Sequence, residues 1–432
     1  MRGANFVPAP ITPVDQTDHE IRVTFEVVTP VHGGGVGWDQ SDERKHIRPI
    51  DPVTPVRLSA VRGQLRFWWR AVFGCTMGSV AAMKAAEDEL WGNASKPGLV
   101  NLALSGSPSA EKLTIFVSAL KRGDVPQRWQ GMKEQGIADG VAYGAFALKP
   151  PSPTNMQLGD GILTRLKGKV TLVATPNRRV SDDQRAQVEQ TIRVWSFLGG
   201  VGGRIRRGFG AVVAEESNAA VSLGDFKRSQ SHNLLARVPT LHSCDFRISQ
   251  CSWTNPETAF EQGLETLRIF RQGENVGREP RTQDNKPAGR SRWPDADQVR
   301  RAFPGRYDHP ARATLPQKCP RAAFGMPIIF HFQPPSDGPS RPDSELRPVE
   351  SERMASPLWI RPIRVNGGFA VLALVLNVPH LDLASLVLKR TVNVPVSGEL
   401  TPTEAALVPP LAQNGSLKPL PAFLNFFDKK LR

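Results

Sequence analysis

The chain has 432 residues, 40% of them apolar, with 20 Phe and 9 Trp. That is enough to fill two or three cores and excludes a wholly disordered polymer. A formal net charge of +14 and a pI near 10 point to a polyanionic partner rather than a cationic one.

Of the 55 basic residues, 39 are arginine and 16 lysine. The planar guanidinium fork suits bidentate phosphate contacts and stacking on bases. A GC-rich genome would raise arginine in the same way, but it would not produce the net charge. The longest strongly apolar run, 369–376, is far below the ~20 residues of a membrane helix. Residues 1–14 lack the apolar core of an export signal, so the expected compartment is the cytoplasm, with no membrane partner. The four cysteines, Cys75, Cys244, Cys251 and Cys319, form no CxxC pair. Neither a disulfide framework nor a metal site is expected, and His242, Cys244 and Cys251 match no common ligand spacing. No cofactor is expected either.

Ile21, Val23, Phe25 and Val27 alternate with polar residues, which predicts a half-buried strand ending at Thr29-Pro30. A loop over 31–54 follows, then a helix over 59–73 closed by Gly74 and another over 79–91 closed by Gly92. Strands are expected over 99–104, 113–120 and 141–148. A long strand over 163–174 carries Arg165, Lys167 and Lys169 in alternation. Ser181 caps a helix with Val188, Ile192, Trp195 and Leu198 at helical spacing. This helix runs into a glycine- and arginine-rich loop and a short strand over 209–213.

The order strand, helix, strands, helix, strand is that of a ferredoxin-like (RRM-like) unit. After a polar connection over 215–237 the theme returns more faintly. A strand is predicted over 241–248, an amphipathic helix over 256–272, and strands over 324–332, 358–365 and 368–378. The stretch 278–321 is dense in Arg, Pro and Gly and is expected to be a mobile loop. The expected fold is α+β: tandem ferredoxin-like domains over 1–225 and 226–432, with long insertions.

Two segments carry the chemistry. In the first predicted helix Arg62, Arg66 and Arg70 recur every four residues and share one face, rising ~6 Å per step. Such a row can follow a sugar–phosphate backbone. The opposing stripe is Leu58, Val61, Leu65, Trp68 and Val72. No acid four residues away neutralises the row. Of Phe67, Trp68 and Trp69, one at most is expected to touch RNA and the rest to fill the core. The second segment is Gly199-Gly200-Val201-Gly202-Gly203-Arg204-Ile205-Arg206-Arg207-Gly208-Phe209-Gly210. Its glycines free the backbone, its successive N–H groups are expected to form an anion-binding concavity, and Arg204, Arg206 and Arg207 add charge. Neither GxxxxGK[ST] nor the dinucleotide GxGxxG fits, and the loop leaves a helix instead of opening one. This favours a phosphate backbone over a nucleotide cofactor. A floppy linker is the bland alternative, and the flanking helix and strand weigh against it.

Leu65-Arg66-Phe67-Trp68-Trp69-Arg70 and the glycine loop together resemble the RAMP superfamily of CRISPR proteins. Within it they resemble the first-numbered subunits of the Cmr module, type III-B. Thr29-Pro30 followed by Gly33, Gly34 and Gly35, then Arg48-Pro49, Leu90-Trp91-Gly92, Gly325-Met326-Pro327 and Ser356-Pro357-Leu358 extend the resemblance along the chain. The glycine loop is common across the superfamily, whereas the 65–70 segment is narrower. His32 stands where the pattern has an apolar residue.

The resemblance implies a two-part ferredoxin-like protein that binds guide RNA near its 3′ end and the paired target RNA in antiviral defence. Other Cmr-type RAMP subunits would be its neighbours and would cut the target. The RNA-binding residues it implies are Gly33, Gly34, Arg48, Arg62, Arg66, Arg70, Gly202, Gly203, Arg204, Arg206 and Arg207. The chain is expected not to be an enzyme. Some RAMP proteins are ribonucleases with a histidine near the glycine loop. His32 and His46, with Asp39, Asp42 and Asp51 close in sequence, therefore make metal-independent processing of guide RNA the alternative. An RNA-binding scaffold unconnected with CRISPR is a third reading, separable by the RNA that co-purifies.

Overall fold

The computed structural model describes residues 20–33, 55–114, 139–145, 162–215, 223–229, 233–280, 289–304, 310–332 and 343–432. The first half runs β1 (Ile21–Val27), β2 (Val31–His32), α1 (Leu58–Val72), α2 (Val80–Trp91), β3 (Val100–Ser105), β4 (Ser109–Thr114) and α3 (Asp139–Gly144). It continues with β5 (Ile162–Lys167), β6 (Lys169–Pro176), α4 (Asp182–Leu198), β7 (Val212–Ala214) and α5 (Leu223–Arg228). β1, β3, β6 and β7 make one antiparallel sheet in the order β3-β6-β1-β7, with Phe25 opposite Val170 and Val23 opposite Leu172. α1 follows β1 and α4 follows β6, so this sheet has the β-α-β-β-α-β order expected of the first half. Local signals start its helices where they should. Ser79 accepts a bond from the Ala82 N–H, and Ser181 and Gln184 close a capping box on α4.

Two expectations in this half are corrected. The single strand over 163–174 is two strands in two sheets, because Gly168 (φ 112°) turns the chain between β5 and β6. β5 joins a small sheet in the order β2-β5-β4. Alternation records which face is buried, not which neighbour is paired, and it runs through the break unaltered. The strand predicted from 141 is the helix α3, whose Val141, Ala142 and Ala145 are buried with Phe209 and Leu264. A short apolar run fits a buried helical turn as well as a strand; residues 146–148 lie outside the described residues.

The second half runs β8 (Thr240–Ile248), α6 (Pro256–Gln272), α7 (Asp295–Ala302), β9 (Ile328–Phe330), β10 (Ser344–Pro348), β11 (Leu358–Val365) and β12 (Gly368–Asn377). It ends with β13 (Leu386–Lys389), β14 (Asn393–Val396), α8 (Pro402–Ala406), α9 (Pro409–Ala412) and α10 (Pro419–Lys430). β8, β11 and β12 form an antiparallel sheet in the order β11-β12-β8, and β9, β10, β13 and β14 form another. The chain is therefore mixed α and β with four antiparallel sheets among the described residues. Within those residues the sheet of the second half has three strands, where a full second copy of the first would have four.

The segment 278–321, expected as a mobile loop, contains α7 and a buried ionic centre. Asp297 is fully buried and accepts from Arg290 (2.9 Å), Arg300 (2.9 Å) and Arg312 (2.8 Å). Its arginines read as loop composition in sequence, yet in space they converge on one carboxylate. The polar connection 215–237 likewise holds α5, tied to β8 by Lys227 and Asp245 (2.7 Å).

The halves share a core. Val61, Leu65 and Trp68 of α1 lie in the same buried cluster as Leu241, Trp359, Leu372 and Leu374. A second link is polar. Arg361 of β11, 2% exposed, donates to the carbonyl oxygens of Gly199 (2.5 Å) and Val212 (2.6 Å). Gly199 caps the C-terminus of α4, where the helix leaves unbonded carbonyls and partial negative charge. Burial lowers the Arg361 pKa to about 9, so it remains a cation at neutral pH. Arg361→Met should remove a bond from both buried carbonyls, leaving Gly199 O only the Val212 N–H (3.3 Å), and cost about 2–5 kcal/mol, measured as a lower urea midpoint of unfolding.

Candidate nucleic-acid interface

Residues 199–210 are a folded turn. The Val201 N–H donates to Gly210 O (2.9 Å), that of Gly203 to His32 O (2.7 Å) and that of Gly210 to Pro30 O (2.9 Å). Ile205–Arg207 make one 3-10 turn between two left-handed residues, Arg204 (φ 55°) and Gly208 (φ 79°). Thr29, buried, fastens the turn from below: its hydroxyl donates to Gly208 O (2.7 Å) and accepts from the Ala211 N–H (2.8 Å). The linker alternative is thereby excluded.

So is a concavity open along the whole loop, because the N–H groups of Val201, Gly203, Arg207, Gly208 and Gly210 are bonded within the chain. Close packing explains the glycines instead. A Cβ on Gly202 would sit 2.5 Å from Val31 Cγ1, and one on Gly208 would sit 2.7 Å from Ile360 O. The turn is wedged between β2 and β11, and what it presents is its arginines.

Arg204 donates to Gly144 O (2.6 Å) at the end of α3. The Arg206 guanidinium lies over two rings, 5.7 Å from the centroid of Phe67 and 5.5 Å from that of Trp359. Burial, opposed by Tyr143 and reinforced by Arg271, Arg204 and Arg206, brings Arg207 down to about 10. Arg271, in the last turn of α6, donates to the Tyr143 hydroxyl (2.5 Å). Among the described residues none of these four arginines meets a carboxylate. Arg206 Nε, Arg207 Nη1 and Arg271 Nε are buried without a hydrogen-bond partner. A cluster of enclosed cations with unmet donors is unfavourable until an anion joins it.

The arginines of α1 divide. Arg66 donates to Glu87 (2.5 Å), to Asp88 (2.6 Å) and to the carbonyl of Gly92, so it fastens α1 to the end of α2. The expectation that no acid neutralises this row is corrected for Arg66 and, more weakly, for Arg70: the acids come from the next helix, which spacing within one helix cannot reveal. Arg70 is 39% exposed and 3.7 Å from Glu87. Arg62 meets no carboxylate among the described residues, and its Nε is buried without a partner. The aromatic triplet behaves as expected. Trp68 and Trp69 are buried, Trp69 donating to Gln187 (2.9 Å), while Phe67 stays half-buried beside Trp359 (5.7 Å).

Gly33 ends β2 with φ 62°. Gly34, Arg48, His46, Asp39, Asp42 and Asp51 lie outside the described residues. Arg271 and Tyr143 were not foreseen. Arg271 ends an amphipathic helix, where a cation is ordinary, and Tyr143 lay in a predicted strand.

The RAMP superfamily model matches residues 24–213, from within β1 to within β7. The matched stretch spans α1, α4, the glycine loop and most of the first sheet. No curated protein matches the chain in sequence. Among solved structures, Cmr1 from Pyrococcus furiosus (apo form) is similar at 14% identity with a TM-score of 0.47, over 90% of this chain and 95% of that one. A chain of the type III-B Cmr-beta bound to cognate target RNA is similar at 11% identity with a TM-score of 0.43, over 82% and 94%. Cmr6 from Pyrococcus furiosus is similar at 14% identity with a TM-score of 0.23, over 45% and 98%.

His32, within the matched stretch, is a buried packing residue. Its ring meets Phe209 edge-on (5.7 Å), and its Nε2 is enclosed without a partner. Burial, then the charge of Arg204, lowers its pKa from 6.5 to about 4. The folded chain therefore binds fewer protons than the unfolded chain between those values, and stability falls as pH drops through that window. Between pH 7 and 5, His32→Gln should lose about 2 kcal/mol less stability than the unaltered protein, read from urea midpoints at the two pH values.

Proposed function

We propose that the chain is a non-catalytic RNA-binding subunit of a type III-B CRISPR (Cmr) effector complex. It holds the guide RNA near its 3′ end and the paired target RNA, beside other Cmr-type RAMP subunits. In this reading the chain is a pair of ferredoxin-like halves, of which the second keeps three strands of its sheet. The observation that carries the proposal is the arginine cluster on the glycine loop: Arg204, Arg206 and Arg207 carried on one rigid turn, with no counter-charge among the described residues. Phosphodiesters supply that charge at regular spacing. Phe67, half-buried below Arg206, is an aromatic surface within reach of the same strand. His32 supports the non-catalytic reading, since an enclosed ring pressed against Phe209 is poorly placed to take a proton from a 2′-hydroxyl.

The test is binding of labelled single-stranded RNA across a salt series. Replacing Arg204, Arg206 and Arg207 with alanine should weaken binding and flatten the log–log salt slope by roughly 0.7 per lost phosphate contact. Arg66→Ala should lower the melting temperature and leave that slope alone. A triple variant with the full slope would refute the interface. Sequencing the co-purified RNA then separates guides bearing repeat-derived tags, as expected, from mixed cellular RNA, which would remove the CRISPR assignment.

A further inference from the structure

Elsewhere in the chain several enclosed arginines meet an acid or backbone carbonyls, although Arg62 and Arg290 also keep a buried Nε without a hydrogen-bond partner. Arg290, Arg300 and Arg312 surround Asp297, Arg247 meets Asp428 (2.7 Å), Arg66 meets Glu87, and Arg361 is bonded to backbone carbonyls. The seam between the glycine loop and α6 departs from that pattern. Arg207 approaches it from the first half of the chain and Arg271 from the second. Each keeps a buried guanidinium nitrogen without a hydrogen-bond partner.

Arg271 is held ready. Its guanidinium lies 5.4 Å from the Phe324 ring centroid and 5.8 Å from that of Tyr143, whose hydroxyl accepts from Nη1 (2.5 Å). Stacking and one bond fix the plane of the fork and leave its other donors available. A purely structural arginine in such a place would be completed by an acid or by carbonyls, as Arg361 is. Here two arginines from different halves repel each other, and neither meets a carboxylate among the described residues.

We propose that Arg271 and Tyr143 complete the phosphate site of the glycine loop, so that one backbone phosphate is held jointly by Arg207 and Arg271 and bridges the two halves of the chain. The non-bridging oxygens of a phosphodiester can accept from two guanidiniums at once, and such charge-assisted bonds are the stronger kind. The first half alone would then be an incomplete RNA-binding unit. Arg271 is a contact residue, and Tyr143 is a positioning residue that sets its fork.

The inference rests on the RNA-binding reading, and the experiment separates the two. The full chain is titrated with labelled single-stranded RNA across a salt series, with thermal melts of each variant free of RNA. Arg271→Ala should bind about 10-fold or more weakly and lose roughly 0.7 of the log–log salt slope. Arg271→Lys should keep the slope, since charge remains, but not the affinity. Tyr143→Phe should weaken binding severalfold at unchanged slope. Weaker binding by Arg271→Ala at full slope, with a lowered melting temperature, would make Arg271 a structural residue and overturn the proposal. Normal RNA binding with loss of a co-purifying protein subunit would assign the seam to an acidic side chain of that partner, and would also overturn it. If Arg271→Ala does not fold, the lysine and phenylalanine variants decide: full affinity in both overturns the proposal. A loop triple variant that binds normally would sink the RNA-binding reading itself, whatever Arg271 does.

Discussion

Three consecutive residues of β11 hold the glycine loop from the far half of the chain, and the interface depends on that grip. Arg361 bonds the carbonyls on which the loop leaves α4 and enters β7. The carbonyl of Ile360 lies where any side chain on residue 208 would strike it. Trp359 packs on Trp68 (4.9 Å) and carries the Arg206 guanidinium on its ring. Side chains two apart on a strand share a face, so Trp359 and Arg361 reach the loop together while Ile360 turns to its own core. The loop's left-handed residues and buried Thr29 are then held in one conformation. A rigid turn can aim arginines outward; a floppy one would lose that orientation to entropy.

The same residue type serves three distinct purposes, set by what surrounds it. Arg361 is an internal strut because carbonyls receive all that it donates. Arg66 is a helix-to-helix tie because Glu87, itself buried, needs a cation. Arg204, Arg206, Arg207 and Arg271 form a third group, without acids among the described residues. Net positive charge alone distinguishes none of these, since all three count equally in a charge total.

Much of the fold was legible in the residues because several signals agreed. α1, α4 and α6 lie within a residue or two of their predicted bounds, α4 and α6 because cap residues and apolar spacing point to the same limits and α1 from its apolar spacing alone. β11 was read to the residue although Arg361, Pro362 and Arg364 interrupt its apolar run. Legibility failed where the deciding partner is remote in sequence. The break at Gly168 depends on which strands lie alongside. α3 depends on packing against Leu264 and Phe209. The acids on Arg66 come from α2, and the arginines of 278–321 have a shared target only once α7 buries Asp297. Among the candidate site residues, the loop arginines were found from local chemistry, whereas Arg271 needed the tertiary fold. No pattern within α6 marks which of its polar residues faces the other half.

The bond from Arg361 to Gly199 joins residues 162 apart in the chain. During synthesis at ~5–20 residues per second, the loop therefore emerges roughly 8–30 s before the residue that anchors it. Val61, Leu65 and Trp68, which share their cluster with β11 and β12, wait nearly twice as long for cover. A loop anchored by residues that emerge this late leaves an apolar surface of the first half uncovered on the ribosome until β11 and β12 follow.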